Sequence, residues 1–152
     1  MIFLGIAIGI CLIDLLAKAY VERNFSELEH KEVCNERLIL TKVHNKGMMM
    51  NFLDQYPKVV KGSAGIVGIF LSGYFLVLLG KSGNCFRKLG IACMVGGAWS
   101  NIYDRFTRKY VVDYICFKTR WKKLNNIVFN IGDLFIFLGC ILTMISSVVR
   151  RK

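Results

Sequence analysis

The chain has 152 residues, enough for one ordinary domain, with 55% hydrophobic residues, a single Pro and 21 Lys+Arg against 10 Asp+Glu, a formal net charge of +11. So apolar a composition excludes disorder and low-complexity linkers, which need far less hydrophobic content, and makes lipid the expected solvent. Nucleic acid is not an expected partner, because the charges stand between long uncharged runs rather than on one soluble basic face.

The first apolar run, residues 1–21, holds Asp14 and Lys18. Ala17-Lys18-Ala19 mimics the cleavage site of a secretory signal, but no Lys or Arg precedes the run and an Asp lies inside it, so a retained transmembrane helix is expected. Gly5 and Gly9 form GxxxG, a pattern that lets a neighbouring backbone approach. Residues 22–61 make a long loop of mixed charge, in which the alternating stretch 37–43 (RLILTKV) predicts a strand within a small sheet at the membrane surface.

Residues 62–80 are nineteen without a charge, and as a helix they would extend about 28 Å, the thickness of a hydrocarbon core. Ala64, Gly68 and Ser72 recur every four residues and predict close helix packing. A third helix is expected over 89–106, ending in Asp104 and Arg105. The loop 107–125 interleaves six Lys/Arg with Tyr110, Tyr114, Phe117 and Trp121. Such a mixture suits the headgroup zone, where each cation near an anionic surface contributes about 1 kcal/mol. The last helix, 126–149, contains Asp133 as its only charge. The expected fold is an integral membrane, mainly α, single domain of four transmembrane helices, both termini on one side and a small β-sheet on the other.

Charge counting gives six Lys/Arg on the side of the termini and thirteen in the two longer loops. Taken literally, positive-inside places those loops in the cytoplasm, yet the long loop dilutes seven cations with six acids, so the count leaves orientation open. The six cysteines contain no CxxC, and His30, Cys34 and His44 match no ligand spacing, so no metal site is expected.

Charge inside a span costs roughly 2.5 to 3.5 kcal/mol on insertion scales, which makes each intramembrane carboxylate a functional candidate. Asp14 and Lys18 at i and i+4 can neutralise one another on one face. Asn101, Asp104 and Arg105 also share a face, for which a helix-end salt bridge is the plain account. Asp133 has no basic residue within four positions on its helix, so its partner must come from elsewhere, and the best candidate is Asp113 in the strand-like 110–114 (YVVDY). Two carboxylates in a partly dry site cannot both ionise easily. Such a pair can activate water against an amide carbonyl and then protonate the leaving nitrogen, without a nucleophilic Ser or Cys and without metal.

Asp14 and Lys18 form DxxxK; Asn45 and Gly47 form NxG; Gly96-Gly97-Ala98 with Asn101, Asp104 and Arg105 approximates GGAxGNxxDR; 111–114 (VVDY) and 129–133 (FNIGD) follow in order. These five motifs resemble lipoprotein signal peptidase, or signal peptidase II, a membrane-embedded bacterial aspartic protease. The resemblance implies that Asp113 and Asp133 are the catalytic pair. Asp14, Lys18, Asn45, Gly47, Asn101, Arg105 and Asn130 would then shape the site or hold substrate. It further implies cytoplasmic termini, a sheet forming an extracytoplasmic cradle, no cofactor, and a monomer that meets membrane lipids and a lipid-modified prolipoprotein, cleaved before its diacylglyceryl cysteine. Met48, Met49 and Met50 would supply an adaptable apolar surface beside lipid or signal helix, or plain core contact.

Four positions depart from the pattern. Ser100 stands where Gly is usual, Lys109 where Gly follows the DR pair, Gly132 for Ala, and Leu134 for Ser. Lys109 is the notable one, since a Gly there could serve a φ > 0 turn that Lys adopts at a cost. Two other readings fit the composition: a noncatalytic relative that binds lipidated peptides or a partner helix, and a small ion-coupled transporter subunit relaying ions through Asp14, Asp104 and Asp133.

Overall fold

The structure, a computed structural model, describes residues 1–27, 29–33, 37–47, 53–118 and 127–149. Cys34, Met48 to Met50, the basic run around Trp121 and the cationic tail at 150–152 lie outside the described residues. In chain order the elements are α1 (Ile2–Asn24), β1 (Lys31–Val33), β2 (Leu38–Asn45), α2 (Pro57–Leu79), α3 (Cys85–Thr107), β3 (Val111–Phe117), β4 (Val128–Phe129) and α4 (Ile131–Val149).

Among the described residues, α1, α2 and α4 are long and apolar enough to cross a membrane. Their outward faces carry Ile8, Leu12, Phe70, Leu76, Ile141 and Met144, all exposed. Apolar side chains outside and charged ones inside invert the arrangement of a soluble domain and suit a lipid solvent. The central helix α3 packs against each of the other three and buries Ser100, Asn101 and Asp104 along with its apolar residues. Neighbouring helices cover the face that carries these three, so that face tolerates polar side chains that a lipid-facing one would not. Three of the four expected spans are therefore distinguished by length and apolarity, and α3 is not.

Helix α1 runs on to Asn24 rather than 21 and α3 begins at Cys85 rather than 89, and the two largest differences have a local cause. Helix α2 starts at Pro57 rather than 62, with Pro in its first turn, where the missing N–H costs nothing; Lys58 and Lys61 belong to it, and long basic side chains at a helix end reach back toward water. Helix α4 starts at Ile131 rather than 126, because Val128 and Phe129 pair with Cys116 and Ile115 of β3 instead. The strands form one antiparallel sheet in the order β1-β2-β3-β4.

Small residues bring the helices together, though not all the expected ones. A Cβ at Gly5 or Gly9 would meet nothing within 4 Å, so the GxxxG of α1 is not a helix contact. Close approach occurs at α3: a Cβ on Gly96 would come 2.6 Å from the Ala7 carbonyl oxygen of α1, and one on Gly97 would collide with the Gly132 backbone of α4. The expectation for α2 holds at Gly68, whose missing side chain admits Ile102.

An apolar cluster of Ala7, Phe75, Leu78, Ile91, Ala92 and Val95 fills the bundle away from the sheet. A second, Val21, Phe25, Val112 and Tyr114, fastens β3 to the end of α1. The sheet is held further by Glu22 of α1, which pairs with His44 Nε2 at 3.0 Å and accepts from the Tyr110 hydroxyl at 3.3 Å. The buried carboxylates Asp14, Asp104 and Asp113 thus lie toward the end where helices meet sheet.

Candidate active site

The site begins with the N-terminus of α4. Asn130 stands just before the helix and Asp133 at its third position, and the two cap each other. Asn130 Oδ1 accepts from the Asp133 N–H at 2.8 Å, and Asp133 Oδ2 accepts from the Asn130 N–H at 3.3 Å. This reciprocal exchange satisfies N–H groups that a helix start leaves free, with a carboxylate at the positive end of the helix dipole. Once its carbonyl oxygen is so engaged, the Asn130 amide nitrogen faces away from the helix. It donates to Asp113 Oδ1 at 2.7 Å and to Asn101 Oδ1 at 3.1 Å.

Asp113 comes from β3, whose alternation turns Val112 and Tyr114 toward α1 and Asp113 to the opposite face. Its second oxygen accepts from Asn45 Nδ2 at 3.0 Å. Asn45 ends β2, and its own carbonyl oxygen accepts from the Gly47 N–H at 3.0 Å, a local turn that fixes which end of the amide meets the carboxylate. The Gly47 carbonyl in turn accepts from Arg105 Nη2 at 3.1 Å, while Arg105 Nη1 donates to the Asn101 carbonyl at 3.3 Å. Arg105 Nε is buried without a partner among the described residues.

Helix α3 connects these groups to α1. Asn101 Nδ2 donates to Asp133 Oδ1 at 2.8 Å, and its Oδ1 accepts from Lys18 Nζ at 2.7 Å. Lys18 is fully buried and pairs with Asp14 at 2.8 Å and Asp104 at 3.5 Å. The expected i, i+4 neutralisation of Asp14 by Lys18 is therefore present, but Lys18 also reaches across to the site. The helix-end bridge expected between Asp104 and Arg105 is not formed. Asp104 pairs with Arg108 at 3.3 Å and accepts from the Val112 N–H at 3.3 Å, which leaves Arg105 free to turn toward Gly47.

All nine residues singled out in the sequence thus lie in one connected polar network. Two members had no separate signal. The Ser100 hydroxyl sits between Lys18 and Asp14, at 3.0 and 2.5 Å. The Tyr114 hydroxyl donates to Asp14 Oδ1 at 3.1 Å and accepts from the Ile131 N–H at 3.3 Å. A Tyr in a buried strand must place its hydroxyl on a polar partner, and that requirement was the available signal.

Asp113, Asp133, Asn45, Asn101 and Arg105 line a cavity of about 120 Å³ whose apolar wall includes Phe129, Ile136 and Phe137. Burial pushes the Asp113 carboxyl up to about 7, assisted by the Asp133 charge and opposed by the Asn45 and Asn130 amides. Burial and the charge of Asp14 likewise push the Tyr114 hydroxyl above its ordinary value, so it remains a donor. Among the described residues no group of three or more His, Cys, Asp and Glu gathers as a metal site. Two carboxylates, one held partly protonated near neutrality, beside a water-sized space form an arrangement suited to general acid and base chemistry.

The family model described as signal peptidase (SPase) II matches residues 6–149. A lipoprotein signal peptidase of Dichelobacter nodosus is 34% identical over 128 residues, covering 80% of this chain and 78% of the relative. One from Moorella thermoacetica is 32% identical over 140 residues, 92% of this chain and 88% of the relative. Two solved structures, each described as a bacterial membrane enzyme obtained by the in meso method, share the fold. One gives a TM-score of 0.84 at 22% identity, covering 99% of this chain and 89% of that one. The other gives 0.78, also at 22%, covering 95% and 91%. A match running from α1 through α4, over every element that supplies the polar network, places the chain in the signal peptidase II family of membrane peptidases.

Proposed function

We propose that the chain is an aspartic endopeptidase that removes the signal peptide from diacylglyceryl-modified prolipoproteins, cutting before the lipid-bearing cysteine. The observation that carries this reading is the double role of Asn130, which caps Asp133 and donates to Asp113, so that carboxylates from two separate elements line one cavity. The names of the relatives support a lipoprotein substrate.

In the proposed cycle the pair shares one proton, carried by Asp113, while Asp133 stays ionised at the N-terminus of α4. Asp133 takes a proton from a water whose oxygen bonds to the scissile carbonyl carbon, and Asp113 gives its proton to the carbonyl oxygen. Collapse of this tetrahedral diol returns a proton to Asp113, Asp133 delivers the other to the nitrogen, and the C–N bond breaks. The pair ends with one proton, as it began. Asn101 and Arg105, whose Nε has no partner among the described residues, are the donors for the substrate backbone, and Phe129, Ile136 and Phe137 provide the apolar wall.

The same reading makes α3 a fourth span. Strands β2 and β3 belong to one sheet, with α2 leaving it and α3 returning to it. The 23 residues of α3 extend about 34 Å, enough to recross the thickness that α2 crosses. The termini are then cytoplasmic and the sheet extracytoplasmic, and the chain works as a monomer in the bacterial cytoplasmic membrane. A transporter would need polar groups continued through the bundle, whereas the apolar cluster around Phe75 and Ile91 fills the half below Asp14. The reading is tested by incubating a diacylglyceryl-modified precursor with wild type, Asp113→Asn and Asp133→Asn. Cleavage before the lipidated cysteine by wild type alone is expected. Near wild-type turnover by either mutant would refute the pair, and inert wild type on several lipidated precursors would favour a noncatalytic peptide-binding relative.

A further inference from the structure

A second cavity, of about 660 Å³, lies where the start of α2 meets the end of α3, and its described lining carries Lys46, Lys58, Lys61, Arg105, Arg108 and Lys109 with no acidic side chain. Lys58 and Lys61 are three apart in the first turns of α2, Arg105 lies in the last turn of α3, and Arg108 and Lys109 follow at and just past its C-terminal end. Some are engaged. Arg108 meets Asp104, Lys61 Nζ lies 4.1 Å from the centroid of the Phe106 ring, and Arg105 is turned to Gly47. Lys46, Lys58 and Lys109 have no ion pair among the described residues. The first turn of α2 contains no acid either, so the positive end of the helix dipole adds to the same field.

With Arg108 already met by Asp104, the cations left without an ion pair around the hollow repel one another unless an anion enters. The surroundings indicate where it comes from. Tyr56 and Val59 next to the lining residues of α2, and Phe106 against the lining Lys61, are exposed, aromatic and apolar groups of the kind found at the lipid–water boundary. Lipid phosphates lie at that depth, and basic pockets between transmembrane helices suit phospholipid headgroups. We propose that this cavity binds the phosphate-bearing headgroup of an anionic phospholipid, with its acyl chains lying against the outer faces of α2 and α3. The binding does not depend on peptide cleavage. Occupancy would neutralise the cation cluster and fasten the end of α3, and with it Arg105, to the membrane surface.

The test is native mass spectrometry of the purified full-length protein with phosphatidylglycerol, phosphatidylcholine or inorganic phosphate, on wild type, Lys46→Gln/Lys58→Gln/Lys61→Gln, and the triple Lys→Arg variant. Wild type is expected to retain phosphatidylglycerol over phosphatidylcholine. The Gln variant should lose about fivefold in affinity per cation, and the Arg variant should keep its affinity. Equal retention of both lipids by wild type, or unchanged phosphatidylglycerol binding in a Gln variant with wild-type circular dichroism, would overturn the proposal. Retention of inorganic phosphate with no retention of phosphatidylglycerol by wild type would overturn it in favour of a free-anion site. Should the Gln variant fail to fold, the two lipids compared on wild type and the Arg variant still decide.

Discussion

The Ser100 hydroxyl lies 2.5 Å from Asp14 Oδ2, the same oxygen that a Cβ at Gly132 would approach to 2.7 Å. Helices α3 and α4 therefore compete for the space around one buried carboxylate. A hydroxyl enters from α3, and the lack of a side chain on α4 gives it room. The two positions noted in the sequence, Ser100 and Gly132, thus meet at one carboxylate oxygen. Gly132→Ala should destabilise the protein by about 1 to 3 kcal/mol through overpacking. Adding Ser100→Gly should recover part of that loss, a coupling of about 1 kcal/mol in a double-mutant cycle read by denaturation in detergent. Strict additivity would show that the two positions are independent.

Asn130→Ala removes three interactions at once: the cap of α4, the donor to Asp113 and the bridge to Asn101. Loss of the cap alone should cost about 0.5 to 2 kcal/mol. Asn130→Ser keeps a capping oxygen but cannot reach Asp113. It should therefore restore stability while peptidase activity stays at least about a hundredfold down, in the range a displaced acid–base group costs. Thermal unfolding and precursor cleavage, measured on both variants, separate the two roles.

The Asp113 carboxyl, raised to about 7 by burial and by the charge of Asp133, predicts how activity depends on pH. If, as proposed, the pair works with one shared proton, it fails when that proton is lost, so kcat/KM should fall about tenfold per pH unit above that value. Stability follows the same group. Between its ordinary value near 3.8 and about 7, the unfolded chain has released the proton that the folded chain keeps. Stability should then decline as pH rises through that window and level off above it. In Asp133→Asn the value for Asp113 should drop, because one of its causes is gone. Infrared titration of the protonated carboxyl band would detect this, and an unmoved band would contradict it.

Lys109 sits at φ +70° just past the end of α3, its N–H donating to the Asp104 carbonyl at 3.1 Å. This is the left-handed position that commonly closes a helix and favours glycine. Lys109→Gly should stabilise the protein by up to about 1 kcal/mol, the relief of a left-handed side chain less the entropy glycine loses on folding. Lys109→Val, β-branched at the same φ, should destabilise it. The pair of melting temperatures checks the sign.

Much of the site was legible because its residues obey local rules. Charge in an apolar run marked Asp14, Lys18 and Asp133, and the strand-like 110–114 marked Asp113, whereas the mutual cap of Asn130 and Asp133 went unread because the helix was expected to begin at 126. Length and apolarity likewise set out α1, α2 and α4, since a helix facing lipid must declare itself in composition. What local rules could not supply was contact across the chain. GxxxG in α1 was a true pattern with no partner, while Gly96 and Gly97 met α1 and α4, because close packing depends on which faces the bundle turns together. Helix α3 buries Ser100, Asn101 and Asp104 against its neighbours, and the polar residues that this permits lower its apolarity below that of the other three. The start of α4 moved to Ile131 because ladder bonds to β3 outcompeted helix at Val128 and Phe129. Only the tertiary structure brought Lys18 to Asn101, Ser100 to Asp14 and Asn130 between the two carboxylates. Those contacts join residues up to 86 positions apart, and a side chain that satisfies a buried charge at that range leaves no periodic trace in the sequence.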